Sequence, residues 1–219
     1  MRGTEPLAKA YNALVKRYGH YCPVAHALDQ VGDRWELLVV RELMLGQRRY
    51  TDLADALPRI GTNVLAARLK ELESCEVIVK RRLPPPTPAQ VYELTPYGVA
   101  LRPIVRELAR WGLHSLPAPR DDENLAPGWL PDAVETFFAP VAPDGSFEFR
   151  IGDEVAALVD GEVVAGSVEE PDVLLEASPR AFYYLFVERR WDGIDVVGDR
   201  ELLEQLLDVA APVEDPLIV

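Results

Sequence analysis

Cysteine, histidine and long apolar runs are scarce in this sequence of 219 residues, and each scarcity excludes a class of protein. Two cysteines, Cys22 and Cys75, cannot build a disulfide framework, and three histidines give no zinc-type spacing, so no structural metal is expected. Apolar stretches such as 181–187 are far shorter than the roughly 18 residues of a membrane span. The first residues lack the apolar segment of a secretory signal. We therefore expect a cytoplasmic protein without a membrane partner.

Local signatures of catalysis are also missing from the sequence. No glycine-rich phosphate loop opens a predicted helix, and no Gly-x-Ser-x-Gly elbow occurs. The acidic residues are spread along predicted strands and turns, whereas a nuclease needs a carboxylate cluster or a metal site. We expect neither an enzyme nor a bound cofactor.

Charge divides the chain into two halves of opposite sign. Residues 1–116 carry 17 Lys and Arg against 12 Asp and Glu, a net charge of +5, whereas residues 117–219 carry 6 against 24, a net charge of −18. A stretch rich in proline and acidic residues separates them, as is typical of a linker. The sequence therefore predicts a domain over 1–116, a linker over 117–130 and a second domain over 131–219.

Helical periodicity dominates the basic half. Apolar spacing predicts helices around 7–15, 24–31, 35–43, 51–56 and 62–75. In the last of these, Thr62 can cap the helix, and Leu65, Leu69 and Leu72 share one face. Asn63, Ala67, Lys70 and Ser74 occupy the opposite face. Two β-prone runs at 77–83 and 90–94 follow, joined by a proline-rich loop, and then Thr95 and Pro96 can start a helix that continues through Trp111.

Two short helices, a tight turn and a basic hairpin follow one another in the order of a winged helix-turn-helix, with Thr62–Cys75 as recognition helix. Over residues 21–112 the sequence also closely resembles the HxlR-type bacterial transcriptional regulators. The resemblance rests on Tyr21-Cys22-Pro23-Val24, Gly32-Asp33-Arg34-Trp35-Glu36-Leu37-Leu38, Arg41-Glu42-Leu43, Leu45-Gly46, Arg48-Arg49-Tyr50, the run from Leu65 to Glu73, and Tyr92-Glu93-Leu94-Thr95. It implies a dimeric DNA-binding repressor or activator whose flanking helices form the dimer.

Residues suited to contacting double-stranded DNA concentrate on the helix-turn-helix and the first wing strand. The candidates are Arg48, Arg49, Thr62, Asn63, Ala67, Arg68, Lys70, Lys80, Arg81 and Arg82. Asn63 and Lys70 could reach base edges, because an amide suits adenine and a cation suits guanine. Arg68 lies at the edge of the leucine face, which favours a backbone contact or an internal salt bridge over base readout. Arg34 and Arg41 could form structural ion pairs with Glu36 and Glu42.

Cys22 precedes Pro23 at the start of a predicted helix, where aligned backbone amides favour a thiolate. The family resemblance implies that a cysteine at this point can sense oxidants or electrophiles. The alternative is a small side chain kept for packing. Cys75, at a helix end, is expected to be inert.

The acidic half changes to mixed α and β periodicity. A helix is predicted over 129–141, strands over 147–151, 155–159, 162–165 and 172–177, a helix through 181–188, a strand over 193–197 and a helix over 199–209. Asp160-Gly161 is a hairpin signal between two of the strands. The runs 160–162, 171–172 and 197–199, with Gly193, are similar to the sterol-carrier-protein-type domain. That resemblance implies a sheet whose covering helices can enclose a small apolar ligand.

The sequence thus predicts an α+β protein with a winged helix-turn-helix domain followed by a sterol-carrier-like domain. We expect a homodimeric regulator that binds operator DNA through its basic half. The acidic half would bind a small apolar effector or support the dimer, since its charge opposes contact with DNA or an anionic membrane. The alternative is a carrier of lipids or other hydrophobic compounds that uses the winged domain for protein association.

Overall fold

A computed structural model describes residues 18–84, 88–120, 128–164 and 166–210 of the chain. The predicted helix at 7–15 and part of the predicted linker lie outside these residues. The chain separates into two compact units, Met1–Val105 and Arg106–Val219. Within the described ranges, no helix combines the length and the apolarity that a membrane crossing requires.

The first unit contains the winged arrangement of helices and strands that the sequence predicts. Its elements are α1 (Pro23–Val31), α2 (Glu36–Met44), α3 (Tyr50–Ala56), α4 (Thr62–Ser74), β1 (Ile78–Arg82), β2 (Gln90–Leu94), α5 (Pro96–Val99) and α6 (Arg102–Leu113), the last crossing the unit boundary. Leu65, Leu69 and Leu72 are all buried, as the leucine periodicity predicts. They pack with core residues from the neighbouring helices, among them Val39 and Leu53.

Two details of the helix ends differ from the sequence-based expectation. Thr62 is the first residue of α4, and Gly61 precedes it in an extended conformation, without a side-chain cap. The Gly61 carbonyl accepts the Val64 and Leu65 N–H groups at 2.9 and 3.0 Å, so the helix starts one residue earlier than predicted. The helix expected from Thr95 through Trp111 is interrupted between α5 and α6. Pro103 explains the interruption, since it has no N–H to donate into a continuous helix.

The wing is an antiparallel hairpin, with Ile78 opposite Leu94 and Arg82 opposite Gln90. The tip of its proline-rich loop, residues 85–87, lies outside the described residues. A short bridge between Arg48 and Tyr92 extends the hairpin on its other edge. The segment before α3 is thereby fixed to the wing.

The second unit is built on a five-stranded sheet. Its strands are β3 (Ser146–Ile151), β4 (Glu154–Val159), β5 (Glu162–Val164), β6 (Val173–Ala177) and β7 (Ile194–Gly198), in the order β5-β4-β3-β6-β7. β6 pairs with β3 in parallel, and the other neighbours are antiparallel. Asp160 and Gly161 both have positive φ, 48° and 81°, which confirms the predicted hairpin turn.

Helices supply the rest of the apolar core of the second unit. They are α7 (Trp129–Ala133), which continues into a π-helical turn (Val134–Phe138), α8 (Pro179–Glu188) and α9 (Arg200–Ala210). The helix predicted over 129–141 therefore ends at Phe138. Aromatic rings fill the interior: Phe138 stacks on Phe149 at 5.4 Å between centroids and lies 5.1 Å from Phe186. Such contacts account for much of the aromatic density of the acidic half.

Candidate nucleic-acid interface

One face of α4 is solvent-exposed and lies opposite the buried leucines. Asn63 and Lys70 are exposed, and Ala67 is half-buried on the same face, whereas Thr62 is exposed as the first residue of the helix. The side chains on this face are small or polar, so no bulky apolar group projects from it. A helix with such a face can approach the base edges in a DNA groove closely. The structure therefore brings together three of the predicted candidates, Asn63, Ala67 and Lys70, on one helix face, with Thr62 at its N-terminal end.

Hydrogen bonds fix α4 against α3, the helix before the turn. The Tyr50 hydroxyl donates to the Thr62 carbonyl at 2.8 Å. At the start of α3, the Arg49 N–H donates to the Asp52 carboxylate at 2.8 Å. Arg49 therefore occupies the N-cap position of α3, with an exposed side chain on the helix-turn-helix.

The wing carries three exposed cations in consecutive positions, Lys80, Arg81 and Arg82. The Lys80 ammonium lies 5.6 Å from the centre of the Tyr92 ring, and Arg81 forms an ion pair with Glu93 on the opposite strand. Both interactions are at the surface, where such pairs contribute little and leave the cations available to phosphate. Arg48 is half-buried, and its backbone exchanges hydrogen bonds with Tyr92 at 3.0 and 2.7 Å.

Arg68 does not join the exposed cations. Its guanidinium contacts three carboxylates, with a hydrogen bond to Asp33 and distances of 2.9 Å to Glu71 and 3.7 Å to Glu36. The internal salt bridge, one of the two alternatives expected for Arg68, is therefore present. Because these acids hold the guanidinium, Arg68 is poorly placed for a phosphate contact, in contrast to the expectation that it contacts DNA.

Two other ion pairs were expected from the sequence, and the structure contains one of them. Arg41 pairs with Glu42 at 2.5 Å, as expected. Arg34 does not pair with Glu36 but lies over the Trp35 ring, 5.5 Å from its centre. Glu36 instead takes part in the Arg68 cluster. Burial raises the pKa of Glu36 to about 7, against the opposing effects of the Asp33 N–H and of Arg68.

The two cysteines have different surroundings. Cys22 is half-buried and occupies the N-cap of α1, with Pro23 in the first turn as predicted. Cys75 is buried at the C-terminal end of α4, and burial raises the pKa of its thiol. Among the residues that the structure describes, no group of three His, Cys, Asp or Glu could hold a metal ion.

An exposed apolar stripe lies on α6, one of the flanking helices that the family resemblance implies in the dimer, but the sequence did not single out its residues. Ile104, Leu108 and Trp111 are 54%, 46% and 70% exposed and follow one another at helical spacing. Their periodicity was visible in the sequence, where it indicated only that a helix would form. What the sequence could not show is that these side chains point away from the core.

Comparison with known proteins places the winged region in one family. Residues 30–119 match the family model described as HxlR-like helix-turn-helix. The uncharacterized HTH-type transcriptional regulator YvaP of Bacillus subtilis is 42% identical over 41% of this chain and 84% of its own length. The HTH-type transcriptional regulator YodB of the same organism is 40% identical over 41% and 81%. The uncharacterized HTH-type transcriptional regulator sll1512 of Synechocystis is 38% identical over 43% and 70%.

Proposed function

The chain belongs to the HxlR-like helix-turn-helix family of transcriptional regulators, and from this premise we propose that it binds specific operator DNA as a homodimer. The observation that carries the proposal is the exposed face of α4, with its small and polar side chains, beside the cationic wing. In this arrangement α4 enters the major groove, and the wing lies along the adjacent phosphates. The charge of +5 over residues 1–116 favours such a contact.

In this proposal Asn63 and Lys70 read the bases. Thr62 and Ala67 pack against the groove. Asn63 offers the amide pair that matches adenine, and Lys70 offers a cation for guanine. Phosphate neutralisation falls to Arg48, Arg49, Lys80, Arg81 and Arg82. Phosphate contacts position the protein without reading sequence, so the two groups should behave differently on substitution.

Selection of a binding duplex from a random library, followed by fluorescence anisotropy, tests the proposal. The logarithm of the affinity should fall steeply with the logarithm of salt concentration, because bound cations displace counterions from DNA. Lys80→Ala should weaken all duplexes alike and reduce the salt slope by about 1. Asn63→Ala should relax preference at one position of the selected site at a cost of about 1–3 kcal/mol.

Arg200→Ala provides a matched control, because it removes an exposed cation from the acidic unit. It should leave both affinity and salt slope unchanged. A selection that enriches no duplex, or a flat salt slope, would overturn operator binding.

The dimer is supported by the apolar stripe of Ile104, Leu108 and Trp111. Large exposed apolar side chains in a row are typical of association surfaces, and a two-fold protein matches a palindromic site whose halves are one helical turn apart. Sedimentation of the full chain should report a dimer. Trp111→Glu should shift it to a monomer and weaken DNA binding, whereas Lys70→Ala should weaken DNA binding alone.

The acidic unit serves, in this proposal, as a sterol-carrier-like module that binds an apolar effector or supports the dimer. Its support is the five-stranded sheet, the helices that pack with it and the aromatic interior. An effector can regulate only if it binds two states of the protein with different strength. The family model ends at residue 119, so this role rests on the second unit's own features.

A sensing role for Cys22 completes the proposal. Its place at the N-cap of α1 and its partial exposure allow a small electrophile to reach it. Modification there would add bulk at the start of α1, a helix whose far end includes buried Val31 of the core.

A further inference from the structure

Arg68 turns away from the exposed face of α4 and reaches the turn at which α2 begins. The guanidinium Nη1 lies 2.9 Å from the Glu71 carboxylate and 3.7 Å from that of Glu36, and it is hydrogen-bonded to Asp33. Only 16% of the Arg68 side chain is exposed. Two of its three partners lie outside α4, so this arginine joins the recognition helix to another part of the first unit.

The turn over residues 33–36, which Arg68 contacts, is conformationally strained. Trp35 has a φ of 85°, in the left-handed region that bulky residues rarely adopt. Asp33 and Glu36 flank Trp35, and the Asp33 N–H donates to the Glu36 carboxylate at 2.9 Å. Such strain persists only where surrounding interactions hold it, and Arg68 supplies an interaction on each side.

The charge of this cluster is not balanced. Three carboxylates face one guanidinium, and Glu36 is only 4% exposed. Burial raises the pKa of Glu36 to about 7; the Asp33 N–H and Arg68 oppose this effect, and the charges of Asp33 and Glu71 add to it. In addition to the larger effect of burial, the charges of Glu36 and Glu71 also act on the nearby buried thiol of Cys75 and raise its pKa. Glu36 therefore changes its charge near neutral pH.

We propose that Arg68 is a positioning residue for operator binding, which fixes α4 on the 33–36 turn without contacting DNA, and that binding is strengthened by proton uptake at Glu36. The proposal rests on the proposed function. DNA against the exposed face of α4 adds negative potential beside the cluster, which favours protonated Glu36. Because proton binding and DNA binding are then linked, the affinity must fall as pH rises through neutrality.

The first test measures the dissociation constant of the full chain for an in vitro selected duplex from pH 6 to pH 8 at constant ionic strength. For wild type it should rise by about two- to fivefold, as expected when DNA raises the pKa of one group from about 7 by about half a unit to one unit. Glu36→Gln should remove this rise. A Glu36→Gln protein that keeps the wild-type pH dependence would overturn the proposal.

Glu71→Gln is the matched control, because it removes a different carboxylate from the same arginine. It should keep the pH dependence, moved to slightly lower pH, since Glu71 no longer raises the pKa of Glu36. A protein with His20, His26 and His114 replaced by glutamine should also keep it. Loss of the pH dependence in the histidine variant would assign the titration elsewhere and reject the proposal.

Arg68→Gln tests the positioning role. It should weaken binding of the selected duplex about tenfold or more and leave the salt slope as in wild type, whereas loss of a phosphate contact lowers the slope by about 1. Arg68→Lys keeps the charge and should recover part of the affinity. A lowered slope in Arg68→Gln would contradict the proposal. If wild type bound no duplex, the proposed function would fail instead, and the two failures are distinguishable.

A measurement without DNA keeps the proposal falsifiable if the variants bind poorly. The folded-state pKa of Glu36 is raised above its ordinary value of 4.5, so its stabilising contribution is present below about pH 4.5 and lost as pH rises through about 7. The urea midpoint of wild type should therefore fall relative to that of Glu36→Gln between pH 5 and pH 8. A constant difference would contradict titration at Glu36.

Discussion

The Tyr50 hydroxyl donates a hydrogen bond of 2.8 Å to the carbonyl oxygen of Thr62, which joins the first residue of α3 to the first residue of α4. The bond spans the turn of the helix-turn-helix and acts on backbone. It therefore constrains where α4 begins without using any side chain of the proposed readout face.

Tyr50→Phe removes this bond and little else. We expect the free energy of unfolding to fall by about 0.5–1 kcal/mol, the usual net value of such a bond. The loss of operator affinity should be larger than this small loss of stability alone would cause, because the N-terminal turn of α4 also loses a restraint. Urea unfolding and anisotropy on the same preparation measure both. Unchanged affinity would show that the turn is fixed by other contacts.

Local pattern predicted those features whose causes are local. The burial of Leu65, Leu69 and Leu72 follows from helical spacing, and the Asp160-Gly161 turn follows from the ease with which Asp and Gly adopt positive φ. The start of α4 was misplaced by one residue because Gly61 supplies its carbonyl in the role assigned to the Thr62 hydroxyl.

Features that depend on residues far apart in the chain could not be predicted from local sequence patterns. Two partners of Arg68, Asp33 and Glu36, lie more than thirty positions earlier in the chain. The local sequence around Arg68 does not indicate whether its side chain pairs with these acids or faces DNA. In the second unit, β6 pairs in parallel with β3 after a crossover. Periodicity predicted both strands, but strand order depends on long-range packing that periodicity does not encode.

Gly98 is predicted to tolerate no side chain. A Cβ at this position would lie 2.0 Å from the Val77 carbonyl oxygen, which belongs to the backbone at the base of the wing. Gly98→Ala should therefore lower the free energy of unfolding by about 3 kcal/mol and weaken operator binding through the displaced wing. Gly112→Ala is the control, since nothing lies within 4 Å there, and it should be neutral or stabilising by up to about 1 kcal/mol. Thermal unfolding by circular dichroism compares them.

The two thiols should react at different rates. Cys75 is 8% exposed and burial raises the pKa of its thiol, so its thiolate is rare and poorly accessible near neutral pH. Limited treatment with iodoacetamide or a quinone, followed by mass spectrometry, should find Cys22 modified first. If Cys22 is a sensor, modification should also weaken operator binding, and Cys22→Ser should resist the effect. Equal labelling of both thiols, or unchanged binding after labelling, would leave Cys22 with a packing role.

Glu148 is predicted to anchor the crossover that precedes β6. It is fully buried, accepts the Val168 N–H at 2.8 Å and pairs with Arg150 at 2.7 Å. Burial acts to raise the pKa of Glu148, but these hydrogen bonds and the Arg150 charge hold it below the ordinary value. Its contribution to stability is therefore present above about pH 4.5 and lost as pH falls through the lower folded-state pKa.

Glu148→Gln should lower the free energy of unfolding by about 2 kcal/mol at pH 7, and the difference from wild type should shrink in acid. The matched variant is Glu176→Gln, which removes the half-exposed partner of Arg150 and should cost less than about 0.5 kcal/mol. Urea unfolding at pH 7 and pH 4 measures both. Equal losses in the two variants would contradict an anchoring role.

Where the second unit begins can be tested with two fragments. The segment before residue 127 contributes Leu113 to the core, an ion pair from Arg106 to Glu135 and a hydrogen bond from Arg110 to the Thr136 carbonyl. The Tyr183 hydroxyl also donates to the Leu116 carbonyl. A fragment of 106–219 should therefore unfold cooperatively, and one of 127–219 should be less stable by about 2–3 kcal/mol, mainly through the lost burial of Leu113.

The same fragments separate the two roles proposed for the acidic unit. A fluorescent fatty acid should bind 106–219 and raise its unfolding temperature if the unit accepts an apolar effector, because a ligand that binds only the folded state stabilises it. In the full chain the same compound should then change operator affinity, since an effector acts only through a difference in affinity between two states. A folded 106–219 fragment that binds no apolar probe would reject the effector role and leave support of the dimer, which sedimentation of residues 1–116 against the full chain would measure.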